Sequence, residues 1–215
     1  MIVDKKYYYP DLNPFSSMVL LRKFYERNTL IVARDLLGKI LVHETAEGTT
    51  AGKIVEAEAY IGPEDKASHA YNNRRTARTE VQYGPKGHAY VYQIYGMYYC
   101  FDATSGPIMG KPEAVLIRAL EHKEGIALMI KRRGLAHGQT TNLTNGPSRL
   151  CMAMGITKKL NGTALCGPPL YIEDGEHINE EDIIKTRRVN VEYAGKWTHV
   201  PWRFFIKDNV FVSKP

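Results

Sequence analysis

Two acidic residues, Glu56 and Glu58, alternate with small apolar residues in the stretch IVEAEAYI at residues 54–61. Alternate side chains of a β-strand point to opposite faces of the sheet, so both carboxylates are predicted to share one face with Tyr60. The same periodicity puts Ile54 on that face and leaves an apolar stripe on the other: Val55, Ala57, Ala59 and Ile61. A carboxylate beside a reacting centre can deprotonate water. Most strand carboxylates instead face solvent, and the strand alone favours that interpretation.

A single arginine, Arg118, interrupts the otherwise apolar run AVLIRAL at residues 114–120. Such a run is typical of a buried strand, where an unpaired guanidinium would cost at least several kcal/mol. The carboxylates of Glu56 and Glu58 are its natural partners. The alternative is that Arg118 faces solvent on an edge strand.

The segment AYVYQIYGMYYCF, residues 89–101, contains five tyrosines among thirteen residues. Its alternating aromatic and β-branched residues predict two strands of a hairpin with Gly96 at the tip. Tyr95 and Met97 flank the glycine, where turns normally carry small polar residues. A buried tip would make this a core hairpin. An exposed tip would be an apolar wedge of the kind that separates base steps.

The segment YNNRRTARTEVQYGPK, residues 71–86, carries four basic residues and few apolar anchors: Arg74, Arg75, Arg78 and Lys86. Loops of this composition are either solvated surface or contacts to phosphate. Its position between the acidic strand and the aromatic hairpin favours the second interpretation.

The remaining patterns predict the elements that position these residues. Asn28 and Gly38 bracket a helix, residues 40–42 begin a strand that turns through residues 47–48 into the acidic strand, and a turn after residue 65 returns His69 to the carboxylate face. Further helices are predicted over residues 121–134 and 145–154, and short strands in LYIEDG, RRVNV and WRFFI.

Length and composition indicate one globular domain, residues 16–215, preceded by an N-terminal arm, residues 1–15. The chain has 215 residues, is 44% hydrophobic and carries a net charge of +6, which suggests a polyanionic partner. Its three cysteines form no C-x-x-C pair, so neither a disulfide framework nor a zinc site is indicated. No run resembles a signal peptide or membrane span. We therefore expect an intracellular protein.

Six runs occur in a distinctive order: LLGKILV, GKIVEAEAYIGPEDKASH, AYVYQIYGMYYC, AVLIRALE, NGPSRLCMAMGI and RRVNVEYAGKWTHVPWRFFI. In order and spacing they resemble the alkyladenine DNA glycosylase family of 3-methyladenine DNA glycosylases, over residues 35–213. The resemblance implies an α+β fold: a single mixed domain with a curved antiparallel β-sheet, flanking helices and a protruding hairpin. It also implies a monomer without metal or cofactor.

The resemblance further implies the reaction. The expected activity is that of a monofunctional DNA glycosylase that flips alkylated or deaminated purines out of duplex DNA, hydrolyses the N-glycosidic bond and so starts base excision repair. Glu58 matches the general base that activates water. Arg118 and the backbone carbonyl of Val189 match the groups that hold that water. The expected location is the cytoplasm, with the nucleoid, in a bacterium, or the nucleus in a eukaryote.

Tyr60, His69 and Tyr92 match residues that stack on or hydrogen-bond the flipped base. Asp102 stands where the family commonly has an asparagine thought to exclude guanine. An ionised carboxylate accepts hydrogen bonds, and the 2-amino group of guanine donates them, so we expect weaker rejection of guanine-derived lesions. Alternatively, Asp102 pairs with a nearby lysine or arginine.

Tyr95 matches the tyrosine that enters the minor groove, with Met97 beside it, and Arg74 and Arg78 correspond to contacts along the DNA backbone. Two other functions stay open from the residues. A non-catalytic nucleic-acid-binding module would share the basic surface and the tyrosines, and a small-molecule nucleosidase would share the carboxylate but needs no wedge.

Overall fold

A computed structural model describes residues 18–136, 138, 140 and 142–214. Its central element is an antiparallel sheet of eight strands in the described residues. The strands are β1 Ile40–Thr45, β2 Gly48–Ile61, β3 Ala89–Ile94, β4 Tyr98–Thr104, β5 Glu113–Glu124, β6 Leu170–Glu173, β7 Ile183–Thr186 and β8 Arg203–Ile206. The α+β fold class is therefore confirmed. The N-terminal arm predicted for residues 1–15 lies outside the described residues.

Strand β2 organises the sheet because it pairs with three others. The main path runs β3-β4-β5-β2-β1-β6, while β8 also pairs with β2 and β7 pairs with β8. The predicted hairpin from β1 into β2 is confirmed, with Thr45 opposite Gly48 at its closed end. Residues at the centre of β2 consequently have neighbours on both sides and are shielded from water.

The α-helices of the described residues are α1 Arg22–Tyr25, α2 Thr29–Asp35, α3 Glu80–Tyr83, α4 Ile126–Arg133 and α5 Pro147–Met154, and 3₁₀ turns span Tyr71–Asn73, Lys158–Leu160, Glu180–Asp182 and Glu192–Thr198. The main core lies where α2, α4 and α5 contact the sheet, with Val32, Met129 and Leu150 packed around Ile117 and Phe101. As predicted, α2 begins after Asn28, whose side chain accepts a hydrogen bond from the Leu30 N–H.

The predicted alternation of β2 is wrong at its centre. Ile54 lies opposite Leu120, Glu56 opposite Ala119 and Ala57 opposite Ile117, so Val55 and Arg118 each lack a directly opposite residue.

An extra residue in one strand shifts the alternation of side chains, so the residues before and after it no longer point to the faces that a regular strand would give them. Ile54 therefore packs in the main core with Ala57 and Ala59, and Val55 packs in a separate cluster with Phe205 and Val212. The two residues have exchanged the faces that simple periodicity predicts.

Two other sequence-based boundaries also differ. The helix predicted from residue 121 begins at Ile126, because β5 continues its pairing with β2 to Glu124 and Gly125 (φ 71°) separates the two elements. RRVNV forms no strand; the Val189 N–H donates to Glu58 instead of to a neighbouring strand. Within the described segments, no helix combines the length and apolar character needed to cross a membrane.

Candidate active site

Glu58 lies on β2 with no solvent exposure and has a partner for each carboxylate oxygen. Its Oε1 accepts a hydrogen bond from the Val189 N–H at 2.8 Å. Its Oε2 accepts from the Tyr60 hydroxyl at 2.8 Å and lies 3.4 Å from Nη1 of Arg118. Val189 thus reaches Glu58 through its N–H, whereas the sequence-based expectation concerned its carbonyl.

Glu56, two residues earlier on β2, is enclosed by cationic and polar donors. Its Oε1 accepts from Nε of Arg118 at 2.7 Å and from Nε of Arg203 at 2.8 Å. The Ser213 hydroxyl donates to Oε1 at 3.0 Å and the Ser213 N–H to Oε2 at 2.7 Å. Burial opposes ionisation of Glu56, but Arg118 and Arg203 outweigh it and bring the pKa of the carboxyl below its usual value.

Arg118 therefore bridges the two carboxylates, as its position in an apolar strand predicts. It is 6% exposed, so the alternative of a solvent-facing edge residue is wrong. Burial by itself would lower the pKa of Arg118. The nearby carboxyl groups of Glu58 and Glu56 outweigh this effect, so the pKa of Arg118 lies above its usual value. With Arg203, the group contains two carboxyl groups and two guanidiniums.

The four predicted base-binding residues line one cavity, whose wall contacts Glu58 through the Tyr60 hydroxyl: Tyr60, His69, Tyr92 and Asp102. His69 Nδ1 lies 2.9 Å from the Tyr90 hydroxyl, and its ring meets the Tyr92 ring edge-on at 4.6 Å. The turn after residue 65 thus brings His69 back beside the carboxylate strand, as predicted. Burial, then Arg78 and Arg74, lower the pKa of His69 to about 4, so the imidazole is neutral at pH 7.

Asp102, on β4, is buried against this cavity. Burial, followed by the charge of Glu58, raises the pKa of Asp102 well above its usual range. Its Oδ1 receives no hydrogen bond from any residue in the described part of the chain. Among the described residues no lysine or arginine forms an ion pair with it, which counts against the alternative of a simple salt bridge.

The aromatic hairpin formed by β3 and β4 presents its tip to solvent. Tyr95 is 81% exposed and Met97 66% exposed, so the interpretation as a buried core hairpin is wrong. Tyr95 (φ 50°) and Gly96 (φ 71°) both adopt the left-handed backbone region, which is uncommon for a bulky residue. The Gln93 side-chain amide closes the turn by donating to the Gly96 carbonyl at 2.6 Å.

Arg74 and Arg78 are exposed and line a second hollow beside the aromatic cavity, together with Lys66. The Arg78 guanidinium lies 5.2 Å from the centre of the Tyr92 ring. Lys86, which the sequence groups with these arginines, is instead buried and donates to the Lys111 carbonyl. The exposed basic surface of this loop is therefore smaller than its composition suggests.

Sequence reasoning missed a second buried ion pair close to Glu58. Arg188 and Asp65 have no exposed side-chain surface and form a bidentate pair at 2.5 and 2.9 Å. Arg188 also donates to the Ala59 carbonyl at 3.0 Å, which ties the segment containing Val189 to β2. Both residues occur in recognised runs, but 123 positions separate them and no local pattern connects them. Gln82, another residue that was missed, lines the aromatic cavity.

The fold and the site together define an α+β protein with an aromatic cavity, a buried carboxylate–arginine cluster directly behind it, and an exposed apolar hairpin tip. The methylpurine-DNA glycosylase family matches residues 23–210 of the chain. That is most of its length, and the chain belongs to this family. Its members are DNA-repair hydrolases that cleave N-glycosyl bonds.

Individual relatives agree with this assignment. The chain is 52% identical over 202 residues to a Clostridium acetobutylicum protein, which covers 91% of this chain and 98% of the relative. It is 50% identical over 204 residues to an Alkaliphilus oremlandii protein (92% and 100%) and 49% identical over 199 residues to one from Bacillus cytotoxicus (89% and 97%). Each bears the name "Putative 3-methyladenine DNA glycosylase".

Proposed function

We propose that this chain is a monofunctional DNA glycosylase that flips alkylated or deaminated purines out of duplex DNA and hydrolyses their N-glycosidic bond with water activated by Glu58. The observation that carries the proposal is the contact between Glu58 and the cavity wall. Tyr60 lines the aromatic cavity and donates its hydroxyl to Glu58 Oε2 at 2.8 Å. A base held in that cavity has its sugar carbon close to a buried carboxylate.

Hydrolysis of the N-glycosidic bond needs a negative charge beside the sugar carbon from which the base departs. Cleavage of a purine from deoxyribose passes through a sugar with oxocarbenium character, which a carboxylate both stabilises and supplies with deprotonated water. Glu56 is the less suitable carboxylate because two arginines and Ser213 enclose it. Arg118 places a positive charge 3.4 Å from Glu58 Oε2, where it can orient the carboxylate proposed as the general base.

The Tyr60 hydroxyl and the Val189 N–H each donate a hydrogen bond to one oxygen of Glu58. A nucleophilic water must therefore share or replace one of these contacts when the nucleotide enters. Tyr60 is the partner that the nucleotide meets directly, because it belongs to the cavity wall. The buried Arg188–Asp65 pair supports both contacts, since Arg188 donates to the Ala59 carbonyl and lies 4.7 Å from the centre of the Tyr60 ring.

The other parts of the surface have matching roles. Tyr95, with Met97, fills the space that the flipped base leaves in the duplex, since both side chains are exposed at the tip. Arg74 and Arg78 grip phosphates beside the cavity entrance. The faces of Tyr60 and Tyr92 favour a cationic base such as 3-methyladenine over a neutral one.

Asp102 is proposed to weaken the rejection of guanine-derived lesions. Its unpartnered Oδ1 can accept a hydrogen bond from a 2-amino group whether or not the other oxygen is protonated. We expect Asp102→Asn to lower 7-methylguanine release relative to 3-methyladenine release. An unchanged or increased ratio after this substitution would remove Asp102 from lesion selection.

The substitution Glu58→Gln tests the mechanism. It removes the base while keeping the side-chain shape, and we expect duplex binding to persist while base release falls about 10²- to 10⁴-fold, the usual contribution of a general base. The matched control is Glu124→Gln, at the exposed end of β5. Base release by Glu58→Gln at the parent rate would remove Glu58 from the mechanism.

One assay separates the proposal from the two other functions. Alkylated duplex DNA is incubated with the protein in EDTA, and released bases and strand breaks are measured. The proposal predicts free purine bases, intact strands and no cleavage of free nucleosides. DNA binding without base release would indicate a binding module, and cleavage of free nucleosides a nucleosidase. We further propose that the protein acts as a monomer at the nucleoid of a bacterium or in a eukaryotic nucleus.

A further inference from the structure

Gln82 lines the aromatic cavity and carries a polar atom that none of the described residues satisfies. The residue lies on α3, is 3% exposed and lines the cavity formed around Tyr60, Tyr92 and Asp102. Its side-chain Oε1 is buried and has no hydrogen-bond partner among the residues that the structure describes. Nearly all buried polar side chains are hydrogen-bonded, so an unpartnered amide at a cavity wall points to a ligand that completes it.

The backbone that carries Gln82 is anchored. The backbone N–H of Gln82 donates to the Thr79 carbonyl at 2.9 Å, and the Thr79 hydroxyl donates to the Arg74 carbonyl at 2.8 Å. Neighbouring Val81 is buried. The side chain thus projects from an anchored turn, which lowers the cost of ordering it when a ligand binds.

Asp102, another lining residue, carries a second atom of this kind, Oδ1, which receives no hydrogen bond from the described residues. Four other lining residues carry rings, and the rest of the lining is mixed: Tyr60, His69, Tyr92 and Tyr193, then Ala67, Ser68, Asn190 and Val191. Flat apolar faces with a few unsatisfied polar groups suit a planar heterocycle that carries its own donors and acceptors. Asp102 and Gln82 would then be the groups that distinguish one heterocycle from another.

We propose that Gln82 selects among flipped purines by reading the edge that carries position 6 and N7. A glutamine amide pairs with adenine through two hydrogen bonds, accepting from the 6-amino group and donating to N7. This inference rests on the proposed function, because it requires the damaged base to enter the cavity. It goes further in assigning a selection for adenine-derived lesions with an unmodified N7.

The lesions differ at this edge in a way that can be ranked. 3-Methyladenine keeps both the 6-amino donor and the N7 acceptor. Hypoxanthine has an oxygen in place of the amino group and can only accept from Gln82. 7-Methylguanine has that oxygen and a methyl group on N7, so it can form neither bond of the adenine pair. Gln82 therefore favours the three lesions in this order, and Asp102 acts separately on the 2-amino group of guanine.

The first experiment uses methylated duplex DNA that contains both 3-methyladenine and 7-methylguanine, with the released bases separated chromatographically. Gln82→Met keeps the size and removes the amide; we expect the ratio of 3-methyladenine to 7-methylguanine release to fall about 10-fold or more. Gln82→Glu keeps an acceptor for the 6-amino group but loses the donor to N7, so its ratio should lie between. Glu124→Gln, at the exposed end of β5, is the control and should keep the parent ratio.

The outcomes separate this inference from the proposed function. If Gln82→Met releases both bases in the parent ratio, the selection by Gln82 is wrong while the glycosylase activity stands. If the parent protein releases no base, the proposed function itself fails. Thermal unfolding checks the fold, and Gln82→Met should be at least as stable as the parent, because it replaces an unpartnered buried amide with apolar atoms.

A second experiment needs no variant. Free 3-methyladenine and its 7-deaza analogue are compared as inhibitors of base release by the unaltered protein. The analogue has a carbon in place of N7 and cannot accept the amide N–H. We expect it to inhibit about 10-fold more weakly, and equal inhibition by the two compounds would contradict the N7 contact.

Discussion

The buried cluster of Glu56, Glu58, Arg118 and Arg203 leads to a quantitative prediction for Glu56→Gln. The substitution removes one of two negative charges and leaves two guanidiniums facing a single carboxylate. Both oxygens of Glu56 accept hydrogen bonds, so the side-chain NH₂ of the glutamine must face another donor. That donor is an arginine in one orientation of the amide and the Ser213 N–H in the other. Breaking a buried ion pair by removing one partner costs about 3–5 kcal/mol.

We expect the retained acceptor oxygen to place Glu56→Gln at the lower end, about 3 kcal/mol. For a chain of this size, 1 kcal/mol lowers Tm by about 2–4 °C, so the predicted decrease is about 6–12 °C. Thermal unfolding followed by circular dichroism at pH 7 measures it. Glu124→Gln, exposed at the end of β5, is the control and should change Tm by less than about 2 °C.

The pH dependence gives an independent test. Arg118 and Arg203 outweigh burial and keep the pKa of Glu56 below its usual value. A carboxyl of this kind stabilises the fold above its unfolded-state pKa, about 4.3, and loses that stabilisation as the pH falls through its folded-state pKa. The difference between parent and Glu56→Gln should therefore shrink below about pH 4. A Tm within 2 °C of the parent at pH 7, or a difference unchanged in acid, would refute the reasoning.

Three further predictions follow from single contacts. Tyr95→Ala should leave Tm unchanged, because the side chain is 81% exposed, but should abolish the fluorescence change of a base analogue at the lesion; an unchanged signal would count against the wedge. Asp65→Asn should lower Tm by about 6 °C or more and slow base release, since Arg188 loses its buried partner; a stable and fully active variant would contradict this role. Burial, Arg78 and Arg74 lower the pKa of His69 to about 4, so its NMR titration should be centred there. The fold should lose stability as the pH falls from about 6.5 to about 4, because only the unfolded imidazole is protonated in that range. Arg78→Ala should raise the pKa of His69. A titration midpoint near 6.5 in the parent would contradict the burial of His69.

Local patterns predicted much of the fold because they depend on neighbouring residues. Asn28 caps α2 as its side chain predicts, and the β1–β2 hairpin and the position of the turn at Gly96 follow from short turn signals, whereas the exposure of that turn was left open. The need of Arg118 for a carboxylate follows from the cost of a buried charge, which is independent of the details of packing. Such inferences succeed where one interaction dominates the local choice.

Boundaries and registers were less predictable. The end of β5 depends on whether β2 is long enough to pair with it, and the exchange of Ile54 and Val55 depends on bulges in both strands. No periodicity within one strand contains the information about its partner. The buried state of Lys86 likewise depends on the Lys111 carbonyl from a distant loop.

The sequence by itself determined the residue types of the site: the alternating glutamates, the arginine in an apolar strand, the tyrosine-rich hairpin and the runs that resemble the glycosylase family. Only the tertiary structure decided how the two glutamates differ. Strand parity treats Glu56 and Glu58 alike, but β8 and the C-terminal segment bring Arg203 and Ser213 to the first. Tyr60 and Val189 meet the second. Apart from the Tyr60 contact, which lies within β2, these contacts join residues more than 130 positions apart, and only packing can bring them together.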